Sequence, residues 1–183
     1  MTDADLIART IVSGDHAAFG VLVRRHQSAV RYFLRHLAHG DTALADDLAQ
    51  ETFIQAYRNL ANFRGEAGFL TWLLGIAYNQ YRNSRRHAAR RQDITAPMPE
   101  FEVPGEESAL SPAQTSDLQH DLAAVLRQLS PDQQAVIHLC YQQGLTHPEA
   151  AAVLDCPLGT VKTHLARAKD QLRNLLAAWN PQT

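Results

Sequence analysis

Apolar residues recur three and four positions apart along most of the chain, while strand-like alternation is hard to find. This spacing places apolar side chains on one face of an α-helix. It predicts an all-α protein whose first ninety residues form four helices. The predicted helices are Asp3 to Val12, His16 to about Ala38, Ala43 to Leu60, and Ala67 to about Arg91.

The helical pattern fails between Gln92 and Pro112, where prolines and glutamates are mixed with small residues. Such composition is typical of a flexible linker. Helical spacing then resumes and continues to the end of the chain. The sequence therefore predicts two small helical domains, residues 1–91 and 116–183, joined by an acidic, proline-containing linker at 92–115.

Composition narrows the class of protein without naming it. Of the 183 residues, 45% are hydrophobic and 20% are charged, as in soluble globular proteins, and the formal net charge is −2. The charge is unevenly distributed, because five arginines fall within residues 82–91 and only acidic charges within 94–115. This predicts local rather than global contact with nucleic acid.

Three further expectations follow from what the sequence lacks. Cys140 and Cys156 are the only cysteines, and the histidines do not complete a zinc-ligand spacing, so no metal or other cofactor is expected. His36 and His39 are interpreted as surface residues. No signal peptide or bilayer-spanning apolar run is found, so the expected location is cytoplasmic with no membrane insertion.

The segment 144–169 is typical of a helix-turn-helix, whose second helix lies in the DNA major groove. Thr146 and Glu149 fit a capping box with Pro148 in the first turn. Asp155, Cys156 and Pro157 end that helix. Apolar residues of the next helix face the core, which leaves five polar residues outside as candidates for base and phosphate contacts. These five are Thr160, Lys162, Thr163, His164 and Arg167. The alternative is an ordinary amphipathic helix with a solvated basic face.

Two polar surfaces of the first domain also need an explanation. Asp47, Gln50 and Glu51 are neighbours on one helix face, which is either solvated or a docking site for a basic partner. A nearby helix carries a stripe of Asn79, Arg82, Asn83 and Arg86, with Tyr78 and Tyr81 close to it and with Phe63 and Arg64 in the preceding loop. Such residues suit single-stranded DNA, although a charged solvent face is an equal alternative. No nucleophile, base or phosphate loop accompanies the carboxylates, so an enzyme is not expected.

The segments DDLAQETFIQAYRNLANFRGEAGFLTWLLGIAYNQYRN and LSPDQQAVIHLCYQQGLTHPEAAAVLDCPLGTVKTHLARAKDQLR resemble regions 2 and 4 of the extracytoplasmic-function (ECF) sigma factors of the sigma-70 family. The resemblance covers nearly the whole chain. It implies a non-enzymatic initiation factor that binds core RNA polymerase, recognises promoter −10 and −35 elements and promotes melting. The alternative from another class is a stand-alone helix-turn-helix regulator, which leaves the first domain unexplained.

The resemblance also assigns residues to partners. It implies that Asp47, Gln50, Glu51 and Phe53 bind the clamp helices of the largest polymerase subunit, with the flap region as a further polymerase contact. The residues implied for the −10 element, part of it single-stranded, are Phe63, Arg64, Gly65, Glu66, Asn79, Arg82, Asn83 and Arg86. Those implied for the duplex −35 element are Thr160, Lys162, Thr163, His164 and Arg167. An anti-sigma factor is a further implied partner. His164 departs from the family, since many members carry arginine there.

Overall fold

The structure is a computed structural model that describes residues 1–94, 126 and 128–179, with side chains described through residue 90 in the first range and 175 in the last. The described residues form helices and no strand, which confirms the predicted all-α class. The first domain contains α1 (Asp3–Ser13), α2 (His16–Leu37), α3 (Thr42–Arg58), a 3₁₀ turn (Leu60–Asn62) and α4 (Phe69–Ile94). The second contains α5 (Pro131–Ile137), its π-helical continuation (His138–Gln142), α6 (His147–Leu154) and α7 (Leu158–Trp179).

Side-chain caps explain where several helices begin. Thr2 forms a capping box with Asp5 ahead of α1, and Asp15 and Asp41 accept backbone N–H bonds at the starts of α2 and α3. Ser130 forms a capping box with Gln133 ahead of α5. These bonds satisfy N–H groups that lack partners within the helix. The breaks after α1 and α2 therefore fall where the sequence predicted them.

Apolar stripes from all four helices of the first domain form its core. The fully buried large side chains there are Leu6, Leu22, Val30, Phe33, Leu34, Leu37, Leu73 and Leu74. Tyr57 follows the apolar spacing of α3 but is 38% exposed, and its ring lies against His16 and the edge of Phe19. Tyr78 and Tyr81 were predicted to lie near a nucleic-acid face, but each is only 4% exposed.

The second domain packs directly against the first. Helix α6 lies on α4, where Gly75 has no side chain and Val153 approaches its backbone. Helix α5 and its π-helical continuation lie on α2, where His138 meets the ring of Phe33. We call this interdomain contact the seam. The buried apolar residues of both domains form one cluster across the seam. The sequence predicted two domains joined by a flexible linker and did not predict this contact.

The predicted domain boundaries stay predictions. Helix α4 continues to Ile94, so the helical part of the first domain extends past the predicted boundary at 91. The rest of the predicted linker, 95–115, and most of the helix predicted from Leu118 to Leu129 lie outside the described residues. Within the described part of the chain, no helix is both long and apolar enough to cross a bilayer.

Candidate nucleic-acid interface

The predicted docking face lies on the outer side of α3. Asp47 and Gln50 are exposed, and Glu51 is half-buried, where its carboxylate accepts a 2.8 Å hydrogen bond from Gln55. Phe53 does not belong to this face, because it is only 9% exposed and packs in the core. We therefore treat Phe53 as a core residue that supports α3, in place of the predicted polymerase contact.

The same face carries an apolar residue that the sequence reasoning missed. Ile54 is 44% exposed and lies one turn beyond Gln50 and Glu51. The sequence does indicate this position, because Ile54 follows Gln50 by four residues and so shares its helix face. The face therefore combines carboxylates, an amide and an apolar side chain, which is a composition suited to a protein partner rather than to nucleic acid. We call Asp47, Gln50, Glu51 and Ile54 the α3 face.

The loop before α4 presents polar residues around a partly buried aromatic side chain. The ring of Phe63 lies 5.5 Å from that of Phe69 and 5.3 Å from that of Trp72, so Phe63 holds the loop to the core. Gly65 has φ +71°, a left-handed backbone conformation that other L-residues rarely adopt. Its neighbours Arg64 and Glu66 are exposed. The fold thus fixes the loop backbone and leaves both charged side chains available.

The polar stripe on α4 is only partly exposed to solvent. Asn79, Asn83 and Arg86 are exposed, as a binding surface requires. Arg82 is half-buried, with its guanidinium 5.8 Å from the centre of the Tyr78 ring. Because Tyr78 is buried, it supports Arg82 by a cation–π contact and does not offer its own face to a base.

The helix-turn-helix has the predicted local geometry. Thr146 and Glu149 form the capping box, and Asp155 ends α6 in a left-handed conformation with φ 49°. The Thr146 hydroxyl and backbone N–H both donate to the Glu149 carboxylate, and these two bonds lower the pKa of that carboxyl. The Glu149 backbone N–H donates in return to the Thr146 hydroxyl. Helix α7 then begins at Leu158. The predicted recognition helix therefore follows α6 after a three-residue turn, Asp155 to Pro157.

The outer side of α7 carries the five predicted DNA contacts with unequal exposure. Lys162, Thr163 and Arg167 are exposed, whereas Thr160 and His164 are half-buried. The Thr163 hydroxyl donates to the Gly159 carbonyl at 2.9 Å, which leaves its oxygen free to accept. Val161 and Leu165 lie on the opposite side in the core, so the predicted division between inner and outer faces is correct.

A cleft of about 130 Å³ brings together residues from both predicted DNA surfaces. Arg82 of α4 lies on one side, and Thr160 and His164 of α7 lie on the other. Asp132, Cys156 and Tyr78 are also in the lining, and burial raises the pKa of the Cys156 thiol. Arg82, Thr160 and His164 are half-buried because they face this cleft between the two closed domains.

No group of three or more His, Cys, Asp or Glu side chains suited to a metal ion is found in the described part of the chain. The described residues instead form a helical protein with a helix-turn-helix in one domain and the exposed α3 face in the other.

Comparison with known proteins assigns the chain to a family. The sigma-70 region 2 model matches residues 22–91, and the sigma-70 region 4 model matches residues 119–172. The chain is 36% identical over 183 residues to the ECF RNA polymerase sigma-E factor of Escherichia coli K12, covering 95% of this chain and 94% of the relative. It is 33% identical over 188 residues to that of Haemophilus influenzae, covering 95% of each. The chain belongs to the ECF sigma factors of the sigma-70 family.

Solved structures agree with this assignment. The sigma factor RpoE from Bartonella quintana, in complex with the anti-sigma factor NepR, superposes with a TM-score of 0.69 at 29% identity, covering 87% of this chain and 96% of that one. CnrH, in complex with the cytosolic domain of CnrY, gives a TM-score of 0.66 at 30% identity, covering 96% and 97%. The protein is thus a sigma factor for transcription initiation, a non-enzymatic subunit of RNA polymerase. The match of region 2 removes the stand-alone regulator as an alternative.

Proposed function

We propose that the α3 face holds this sigma factor on core RNA polymerase while the two domains read the two promoter elements. The observation that carries the proposal is the order of both sigma regions on one chain, each with its polar candidates on an outer helix face. The polymerase provides the catalytic chemistry, and the sigma factor supplies position and specificity. The proposed place of action is the cytoplasm.

The α3 face is the proposed site for the clamp helices of the largest polymerase subunit. Asp47 and Glu51 present two carboxylates one helical turn apart, and Ile54 adds an apolar contact beside them. Charged groups around an apolar contact give a docking surface its orientation and its partner choice. The second domain is proposed to contact the flap region.

The −10 element is proposed to bind where the loop 63–66 meets the exposed stripe of α4. Arg64 and Arg86 can pair with phosphates, and Asn79 and Asn83 offer donors and acceptors to the edges of unstacked bases. Glu66 can accept from a base amino group. Phe63 contributes by holding the loop, since its ring is packed against Phe69 and Trp72.

The −35 element is proposed to lie along α7 as a duplex. Lys162 and Arg167 are exposed cations for phosphates, and the Thr163 oxygen is free to accept from a base edge. Thr160 and His164 join this surface once the cleft opens. The imidazole at 164 offers fewer hydrogen-bond donors than the arginine found in many members, so the −35 sequence preferred here differs from theirs.

An anti-sigma factor is the remaining proposed partner. One solved relative is a complex with the anti-sigma factor NepR, and another is a complex with the cytosolic domain of CnrY. Both superpose on most of this chain, with TM-scores of 0.69 and 0.66. We propose that an anti-sigma factor also binds this chain.

The test is whether promoter binding depends on polymerase. Start sites are first mapped after overproduction, and the upstream fragments are then bound with protein alone, core polymerase alone, and both together. The proposal expects specific binding of these fragments only with both. Equal binding by the protein alone would instead support a regulator that acts without polymerase.

A further inference from the structure

A buried histidine lies in the seam between the two domains. His138, at the start of the π-helical segment, is 3% exposed. Its ring centre lies 5.0 Å from that of Phe33, 5.4 Å from that of Tyr32 and 5.8 Å from that of His36, all on α2. One side chain of the second domain is therefore enclosed by three rings of the first.

The hydrogen bonding of His138 suits a neutral ring. Its Nε2 atom lies 3.2 Å from the Gln143 amide nitrogen, whereas Nδ1 is fully buried and has no hydrogen-bond partner among the described residues. A pocket of about 20 Å³ adjoins the ring and is lined by His36, Gln134 and Gln142. A second proton would place a cation among aromatic rings and amides, where it loses its hydration.

The titratable groups that face His138 offer it no counter-charge. From α2 these are Tyr32 and His36, and His39 beyond the end of α2 lies 3.4 Å from the amide of Gln134. In its own domain the ring faces the uncharged amides of Gln142 and Gln143. In the described part of the chain, no carboxylate forms an ion pair with His138. Protonation of one ring therefore places an unpaired cation in the seam, and protonation of both His138 and His36 sets like charges against each other.

We propose that the seam is an acid-sensitive latch, in which protonation of His138 and of His36 opposite it separates the second domain from the first. Opening moves both imidazoles toward water, where their charged forms are hydrated. The apolar part of the seam, including the contact of Val153 with Gly75, holds the domains together while both rings are neutral.

The direction and size of the effect follow from linkage. Burial, and then the neighbouring His36, lower the pKa of His138 from 6.5 to about 4, and burial also lowers the pKa of His36. At pH values above the ordinary histidine pKa, both rings are neutral in the open and in the closed molecule, so pH does not affect closure there. As the pH falls from there toward 4, the open form binds protons first, so closure weakens. For His138 alone, the ratio of open to closed molecules rises about tenfold between pH 7.5 and 5.5.

Opening has a consequence for the promoter surfaces. Arg82, Thr160 and His164 face one cleft in the closed molecule, so separating the domains exposes all three. This consequence rests on the proposed function, whereas the opening itself does not. The test therefore uses the full chain without polymerase or DNA, so a failure of the latch is distinguishable from a failure of promoter recognition.

Single-molecule energy transfer between two labels measures the open fraction. Ser28→Cys and Ala166→Cys place dyes on exposed positions of different domains, in a background where Cys140→Ala and Cys156→Ala remove the native thiols. The open-to-closed ratio is expected to rise about tenfold from pH 7.5 to pH 5.5 with helicity unchanged by circular dichroism. A flat ratio, or loss of helicity together with opening, would overturn the latch.

Matched variants identify the groups that titrate. His36→Phe with His138→Phe is expected to give a ratio independent of pH, and His147→Phe, which changes an exposed histidine of α6, is expected to keep the full response. A response that persists in the double variant would overturn the latch. If that variant does not fold, the ring of His138 is titrated by NMR in the unaltered chain. A pKa near 4 supports the latch, and one near 6.5 overturns it.

Discussion

The Tyr78 hydroxyl donates a 2.7 Å hydrogen bond to the Asp132 carboxylate and so ties α4 of the first domain to α5 of the second. Tyr78 is 4% exposed, and burial, followed by this bond to Asp132, raises the pKa of its phenol far above the ordinary value. The hydroxyl therefore keeps its proton and stays a donor at neutral pH. The helix that carries Arg82 is held against the domain that carries His164.

Tyr78→Phe removes this bond and is expected to loosen the seam. A hydrogen bond to a charged group contributes about 1.5–3 kcal/mol, so its loss is expected to raise the open-to-closed ratio about tenfold or more. Energy transfer between labelled domains at neutral pH measures the change. The control is Tyr81→Phe, because Tyr81 is equally buried and its hydroxyl accepts from Arg85 of the same helix at 3.4 Å. Equal opening in both variants would contradict an interdomain role for Tyr78.

Gly75 provides a steric test of the same seam. A Cβ built there lies 3.9 Å from the Cα and the carbonyl oxygen of Val153, which is ordinary contact. Gly75→Ala is therefore expected to keep the domains closed and to stabilise α4 by about 0.5–1 kcal/mol. Gly75→Leu adds three further carbons beyond Cβ, and these would overlap α6, so it is expected to open the domains while each remains helical.

Energy transfer and thermal unfolding of both Gly75 variants distinguish these effects. An open Gly75→Ala protein would mean that α4 and α6 are already too close for a methyl group. A closed Gly75→Leu protein with normal helicity would mean that the seam tolerates bulk, and that α6 is not held in the position described.

Charge reversal on the α3 face is expected to weaken polymerase binding. Asp47→Arg with Glu51→Arg replaces two carboxylates by cations opposite a basic partner, and the expected loss of affinity for core polymerase is about 10–100-fold. The fold is expected to persist, because Asp46, which pairs with Arg31 and Arg35, is unchanged. Titration of labelled protein with core polymerase measures the affinity.

The control for the α3 face is Ala8→Arg with Val12→Arg. These residues are exposed on α1 at the same four-residue spacing, so they add two arginines to a different surface of the same domain. This control is expected to bind polymerase as the unaltered protein does. A similar loss in both double variants would assign the effect to overall charge and not to the α3 face.

The cations of α7 are expected to bind phosphates, not bases. Lys162→Ala and Arg167→Ala are each expected to reduce the slope of log affinity against log salt by about one, with a similar loss on every promoter sequence. Arg173→Ala is the control, since Arg173 lies further along the same helix and pairs with Asp170 at 3.0 Å. Binding of the holoenzyme to promoter duplex at several salt concentrations gives the slopes. A loss confined to one promoter sequence would instead indicate base contacts.

The helices and the helix-turn-helix could be predicted because their signals are local. Thr146, Glu149 and Pro148 lie within one turn, and their geometry follows from backbone hydrogen bonding at a helix start. The inner face of α7 could be predicted for a similar reason, since Val161 and Leu165 repeat at helical spacing. The third helix ended two residues before its predicted end because a 3₁₀ turn follows Asn59.

The seam could not be predicted because it depends on contacts between residues far apart in sequence. His36 resembled a surface residue, yet it is half-buried against His138 of the other domain. Tyr78 and Tyr81 lie close to the polar stripe in sequence, but their burial depends on what covers α4. Phe53 follows Glu51 by two residues, and this spacing turns its side chain to the core side of the helix.

The central claim is that this protein converts core RNA polymerase into an enzyme that starts transcription at defined promoters. The direct measurement is transcription of a library of genomic fragments with purified core polymerase, with and without the protein, followed by mapping of RNA 5′ ends. The account predicts that the protein concentrates 5′ ends at discrete positions preceded by two shared sequence elements, and that Asp47→Arg with Glu51→Arg removes them. Well-folded protein that leaves the 5′ ends distributed as with core polymerase alone would contradict it.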